Sequence, residues 1–263
     1  MAEGDSILRV ARRLDKSLAG RRLSVRTPGP RRPAGLPATQ LDGRALDRVE
    51  SRGKHLLLHF EGGLALHSHL GMRGSWQLYR TGEPWRRPAQ QAWIALSAEG
   101  TEAVNFGGST MRIAQEAQLR RDPRLARLGP DLLSDDFDPA VVVDRMRSIA
   151  PDIELGAALL GQRLVAGIGN IFKSEGCFAA GFDPNRSLTS LADEDLVAVL
   201  EETRTLMLAA VDTGRQPDRV YRKAGRPCPR CGTTILSRAQ GDSARTTYWC
   251  PSCQPPALRT FQP

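Results

Sequence analysis

The segment "CPRCGTTILSRAQGDSARTTYWCPSC" sets Cys228, Cys231, Cys250 and Cys253 in a C-x2-C-x18-C-x2-C array. Each close pair can grip one side of a tetrahedral ion, and a hairpin returns the second pair to the other side. Four sulfurs close the site, so the array predicts a structural zinc rather than a catalytic one. Cysteines in such pairs hold metal in a reducing compartment, whereas a disulfide framework belongs to secreted chains. Arg238 and Arg245 lie between the pairs, in the middle of the expected hairpin, a natural reach toward a phosphate.

Two further stretches could carry chemistry. In "LVAGIGNIFKSEGCFAAGFDP" two glycines flank an isoleucine before Asn170 opens a new helix. Turn amides and helix N-termini bind phosphate readily. Asn170 reads equally as a helix cap or as an amide donor to phosphate, and Lys173 of the same segment is a second candidate contact to a nucleic-acid phosphate. In "ESRGKHLLLHF" Lys54 stands at the mouth of an apolar strand behind a glycine. On local grounds alone it also reads as a solvated strand end.

The elements that must position these residues fall into two regions. Ile7, Ala11, Leu14 and Leu18 recur at helical spacing, and Gly20 marks the stop. From about Arg22 to Gly107 the pattern turns to short β-like runs, "RLSVR", "HLLLHF", "LALHSHL", "SWQLY" and "AWIALSA", cut by Gly, Pro and Asp turn signals. Beyond "RRDPRLARLGPDLL" come the helical segments "DPAVVVDRMRSI", "IELGAALLG" and "DEDLVAVLEETRTLMLAAVD". The fold class expected is α+β: an N-terminal β-sandwich domain with a leading helix (1–120), a helical domain (121–220) and a zinc-finger hairpin (221–263).

Composition narrows the partners. Lys and Arg number 37 against 29 Asp and Glu, a net charge of +8 that favours a polyanion such as nucleic acid or acidic lipid. No run of 18 apolar residues is present to span a membrane, and "AEGDSILRVARRL" lacks the apolar core of a secretory signal. The chain is expected to be cytoplasmic, bacterial and nucleoid-associated, and monomeric.

Taken in order, "AEGD" before a helix, "SRGK" before a strand, "HLGMRGSW" in the sheet, "AGIGNIFKSE" and the terminal finger with "RTTYWCPSCQ" carry a resemblance. Over nearly its whole length the chain resembles the formamidopyrimidine-DNA glycosylase and endonuclease VIII family of base-excision repair. The resemblance implies a helix–two-turn–helix element in the second region and damaged duplex DNA as partner. It further implies that an N-terminal amine attacks the sugar C1′, that Glu3 donates a proton in base release, and that Lys54 is an essential positive donor. Arg245 would contact phosphate in strand cleavage, Asn170 would hold backbone phosphate, and Met72 would wedge into the duplex where the damaged nucleotide has swung out.

Two departures from the family pattern matter. The usual N-terminal nucleophile is proline, and here Ala2 follows Met1. An α-amine has a pKa of roughly 7.7–8.0 against about 10.4 for lysine, so a useful fraction is neutral at physiological pH. A primary amine on Ala2, exposed by loss of Met1, gives an imine that must gain a proton before it can pull electrons. The lyase step, β/δ-elimination, is therefore expected to weaken, and a catalytically silent or monofunctional damage-binding relative is the alternative. The second departure lies around "AVNFGGSTMRI", which lacks the Arg and Phe pair of relatives that act on oxidised guanine. That favours the endonuclease VIII branch and oxidised pyrimidines.

Overall fold

A computed structural model describes residues 2–241 and 244–256. Contacts divide the chain into two compact units, residues 1–127 and 128–263. The division falls after 120 because the short helices that follow the last strand of the sandwich pack with the first unit.

In the first unit, Gly4–Leu18 forms α1, followed by β1 (Ser24–Arg26), β2 (Leu46–Arg52), β3 (His55–Phe60), β4 (Leu64–His69), β5 (Ser75–Arg80), β6 (Ile94–Ala98), β7 (Thr101–Phe106) and β8 (Thr110–Gln115). Two short helices, α2 (Glu116–Arg120) and α3 (Pro123–Ala126), complete it. The strands make two antiparallel four-stranded sheets, ordered β1-β6-β7-β5 and β2-β3-β4-β8. Alternation decides which faces meet. Leu56, Leu58 and Phe60 of β3 and Leu64 and Leu66 of β4 share one core with Trp76, Ile94 and Leu96 of the other sheet. Ile7, Ala11, Leu14 and Leu18 of α1 enter the same core. Ser68 is tolerated inside because Trp76 Nε1 donates to its hydroxyl at 3.2 Å.

The five runs read from the sequence do not include β2, β7 or β8. The β2 segment "LDRVESR" is mostly polar, and it becomes a strand by pairing with the apolar β3. The two are joined by a tight turn at Gly53 and Lys54, in which Gly53 takes a φ of 59° that disfavours any side chain.

The second unit comprises α4 (Pro139–Ile149), α5 (Leu155–Leu160), α6 (Asn170–Ala180), α7 (Asp193–Thr213) and the hairpin β9 (Leu236–Gln240) and β10 (Arg245–Trp249). Asp138 caps α4, accepting from the Ala140 amide at 2.9 Å, with Pro139 at the first helical position. Asp193, Glu194 and Asp195 put negative charge in the first turn of α7, where the helix dipole favours it. Helices α6 and α7 approach closely at Gly176, where an added Cβ would lie 2.0 Å from Thr203 Oγ1. Among the described residues no helix is long and apolar enough to cross a membrane.

Candidate nucleic-acid interface and metal centre

The four sulfurs of the finger lie within 4.8 Å of one another. Cys228 Sγ is 3.9 Å from Cys253 Sγ, and Cys231 Sγ is 3.5 Å from Cys250 Sγ. Tetrahedral zinc with bonds of about 2.3 Å needs sulfurs about 3.8 Å apart, so the donor set fits. The thiols alone are in conflict. Hydrogen bonds from Thr233 draw Cys231 down to about 6. Burial and the three neighbouring sulfurs push Cys253 up to about 12. A doubly charged cation removes that conflict by stabilising all four thiolates.

The hairpin is seated on α5 and α6 by buried polar contacts. Asn170 Nδ2 donates to the Thr246 carbonyl at 2.8 Å. Lys173 Nζ donates to Thr247 Oγ1, which donates in turn to Gln240 Oε1 at 2.6 Å. Gln240 Nε2 reaches Glu154 Oε2 at 2.9 Å and the Pro184 carbonyl at 2.7 Å. Glu175 Oε1 accepts from the amides of Arg219, Val220 and Tyr221 at 3.0, 2.9 and 2.9 Å, fixing the segment that leads into the finger. The turn between α5 and α6 is organised by Gln162. Its Nε2 donates to the carbonyls of Leu160 and Ile168, both at 3.0 Å, and its Oε1 accepts from the Gly167 amide at 3.1 Å.

These contacts correct three sequence expectations. Lys173 is fully buried, so it braces the finger and offers no surface to DNA. Its place on a helix enclosed on nearly every side is the cause. Asn170 is the first residue of α6 rather than its cap, which is Gly169, and its amide gives one proton to the hairpin. Arg238 is tied to Glu154 and, at 2.5 Å, to Asn185 Oδ1, so it is an anchor of the finger rather than a free phosphate ligand. Arg245 differs. It is exposed at the turn end of β10, opposite Gln240, and among the described residues it makes no side-chain hydrogen bond or ion pair.

On the first unit, Ala2 packs against the sandwich core and Glu3 is fully buried at the start of α1. The Glu3 amide donates to Ser6 Oγ at 3.0 Å, and the Glu3 carbonyl accepts from the Ser6 and Ile7 amides, both at 3.1 Å. The helix start is thereby pinned. Met1, whose loss is expected to expose the Ala2 amine, lies outside the described residues. Met72, on the connection between β4 and β5, exposes 69% of its surface, unusual for a large apolar side chain. Lys54 sits half-buried in the β2–β3 turn, and its charge helps lower His69, after burial.

A polar cluster that sequence reasoning missed lies on the outer face of the second sheet. His55 Nδ1 is 2.8 Å from His67 Nε2, and Arg112 Nε is 3.2 Å from His67 Nδ1. Arg112 Nη1 pairs with Asp122 Oδ2 at 2.6 Å. Burial, aided by the neighbouring imidazoles, pushes His55 down to about 3, and burial with the Arg112 charge takes His67 down to about 4. His69 Nδ1 meets Ser109 Oγ at 2.6 Å. His59 lies further along. Burial lowers it, but contacts of 3.2 Å with Glu50 and 2.6 Å with Glu116 outweigh that and raise it. The signal was present in "HLLLHF" and "LALHSH": with Leu56, Leu58, Leu64 and Leu66 facing in, the histidines at alternate positions must share the opposite face.

Comparison with known proteins accounts for each segment. Residues 1–111 match the formamidopyrimidine-DNA glycosylase N-terminal domain, 128–221 its H2TH domain, and 225–256 a zinc finger found in FPG and IleRS. The chain is 41% identical to a probable endonuclease 8 2 of Streptomyces coelicolor, over 97% of this chain and 94% of that one. It is 35% identical to the DNA-(apurinic or apyrimidinic site) lyase Nei2 of Mycolicibacterium smegmatis, over 97% and 99%. The crystal structure of the MutM (Fpg) protein from Thermus thermophilus aligns with a TM-score of 0.78 at 31% identity, over 96% of this chain and 98% of that one. The chain belongs to the formamidopyrimidine-DNA glycosylase and endonuclease VIII family, on its endonuclease VIII side.

Proposed function

We propose that this protein is a base-excision-repair DNA glycosylase with associated abasic-site lyase activity, acting on damaged duplex DNA as a monomer in the bacterial cytoplasm. The observation that carries the reading is the full-length similarity to proteins named endonuclease 8 and abasic-site lyase. The silent-binder alternative rested on Ala2 alone, and those relatives do not favour it.

In this reading the Ala2 amine, freed by loss of Met1, attacks C1′ while the bond from C1′ to the base breaks. Glu3 supplies the proton that the departing group needs. Its place beside Ala2 in the chain, buried at the start of α1, supports the role. The nitrogen lone pair then opens the C1′–O4′ bond, the ring oxygen taking a proton, and the protonated imine so formed draws electrons as C2′ gives up a proton and the 3′ phosphate leaves. Because the amine is primary, the protonated imine can lose its N–H proton and its charge, and elimination is slower than with a secondary amine. Lys54 adds positive charge near the reacting sugar, and Arg245 takes a phosphate. The exposure of Arg245 at the tip of the zinc hairpin supports that assignment. Met72 fills the space the extruded nucleotide leaves. Zinc supplies folding of the hairpin and no reaction chemistry.

Oxidised pyrimidines are the proposed substrates. The β7–β8 connection is only Gly107, Gly108 and Ser109, and a Cβ on Gly108 would stand 2.7 Å from the His69 carbonyl. So tight a connection presents no large side chain to the base opposite the lesion. The test is excision from three duplexes carrying an oxidised pyrimidine, an oxidised guanine or an abasic site. Release of the pyrimidine at least tenfold faster than the guanine is expected. Equal rates would remove the branch assignment, and no release or nicking of any duplex would remove the enzyme.

A further inference from the structure

At the Lys54 end of the second sheet the imidazole protons can be assigned one after another. Asp122 Oδ2 accepts from Arg112 Nη1, and Arg112 Nε donates to His67 Nδ1. A guanidinium can only donate, so His67 Nδ1 carries no proton. The buried His67 ring is neutral near pH 7, and its one proton therefore sits on Nε2. That proton is given to His55 Nδ1 at 2.8 Å. His55, also neutral, must then carry its own proton on Nε2.

The charged and titratable groups felt by His55 are His67, His69, Asp122 and Arg112, and Lys54 is its chain neighbour. His69 stacks against it with ring centroids 4.8 Å apart, while its own Nδ1 is occupied by Ser109. Among the described residues nothing accepts the His55 Nε2 proton. The ring thus ends a directed chain of donors, beside a lysine and at the end of β4 from which the Met72 connection departs.

We propose that His55 is a DNA-binding residue: its Nε2–H, oriented by Arg112 through His67, donates to a backbone phosphate oxygen of the DNA. The inference rests on the glycosylase reading, and none of the motifs that carried that reading includes it. As a neutral donor it adds hydrogen-bond energy without releasing a counterion.

Binding of the full chain to a duplex with a non-cleavable abasic analogue, followed by fluorescence anisotropy across a salt series, tests it. His55→Phe should weaken binding about tenfold at every salt concentration, with the slope of log K against log salt unchanged. His55→Gln, which keeps an N–H donor, should recover most of the loss. Histidine 15N NMR of the unaltered protein avoids any effect on folding. It should show the His55 proton on Nε2, and that resonance should shift when the duplex is added. Binding by His55→Phe within twofold of the parent, a shallower salt slope, or a proton on Nδ1 would each overturn the inference while leaving the glycosylase reading intact. Failure of the unaltered protein to bind the duplex would overturn both.

Discussion

Replacing Gly176 with alanine should loosen the helix that seats the zinc hairpin. The new Cβ would stand 2.0 Å from Thr203 Oγ1 and 3.0 Å from Thr203 Cβ, inside van der Waals contact. Thr203 cannot step aside easily, because it is fully buried and its hydroxyl donates to the Val199 carbonyl at 2.7 Å. Overpacking of this kind costs about 3 kcal/mol at its upper end. The better helix propensity of alanine returns about 1 kcal/mol. The net loss is about 2 kcal/mol, equivalent to roughly 30-fold faster exchange of amide hydrogens that open with this unit. Hydrogen exchange of peptides from α6 and α7, read by mass spectrometry, measures it without requiring the two units to unfold together. Adding Thr203→Ala removes the offending atoms, so the pair should lose at least about 1 kcal/mol less than the sum of the singles. Unchanged exchange in α6, or strict additivity of the two changes, would refute the packing argument.

Other expectations follow from the same geometry. Glu3→Gln should abolish release of intact damaged bases while nicking of a preformed abasic site persists in part, and equal loss of both in a gel assay would count against proton donation by Glu3. Stripping zinc with a chelator, or Cys250→Ser, should release about one zinc per chain and abolish duplex binding; full affinity after zinc loss would contradict the finger's role. His55 and His67 are held near about 3 and about 4 when folded, against about 6.5 when unfolded. Their contribution is therefore complete above pH 6.5 and is lost as pH falls toward 4, by up to about 2.7 kcal/mol per pH unit when both take part. Denaturant unfolding between pH 4.5 and 6.5 should show a shallower dependence in His67→Phe, and an unaltered dependence would mean the rings are not protonation-coupled to folding.

How far the sequence was legible depended on the reach of the signal. The α1 spacing of Ile7, Ala11, Leu14 and Leu18 and the four cysteines are local patterns, and both appear in the structure as read. The strand "LDRVESR" was not legible, because its pairing with β3 and not its own composition makes it a strand. Basic residues misled in a consistent way. Lys173 and Arg238 are charged, but sequence cannot tell whether a charge meets solvent or a partner 70 or more residues away, as Thr247 and Glu154 are here. Gln162 lies in no motif, and Glu175, the last residue of "AGIGNIFKSE", had no role assigned, yet their side chains hold the two turns that frame α6.

The central claim is that the first free nitrogen of the mature chain attacks the sugar. Borohydride reduction during turnover of an abasic-site duplex, followed by digestion and mass spectrometry of the captured peptide, tests it most directly. The account predicts a covalent adduct on the α-nitrogen of Ala2, with Met1 gone, and no adduct when that amine is blocked beforehand. An adduct on Lys54 or any other side chain, or undiminished capture after blocking, would contradict it.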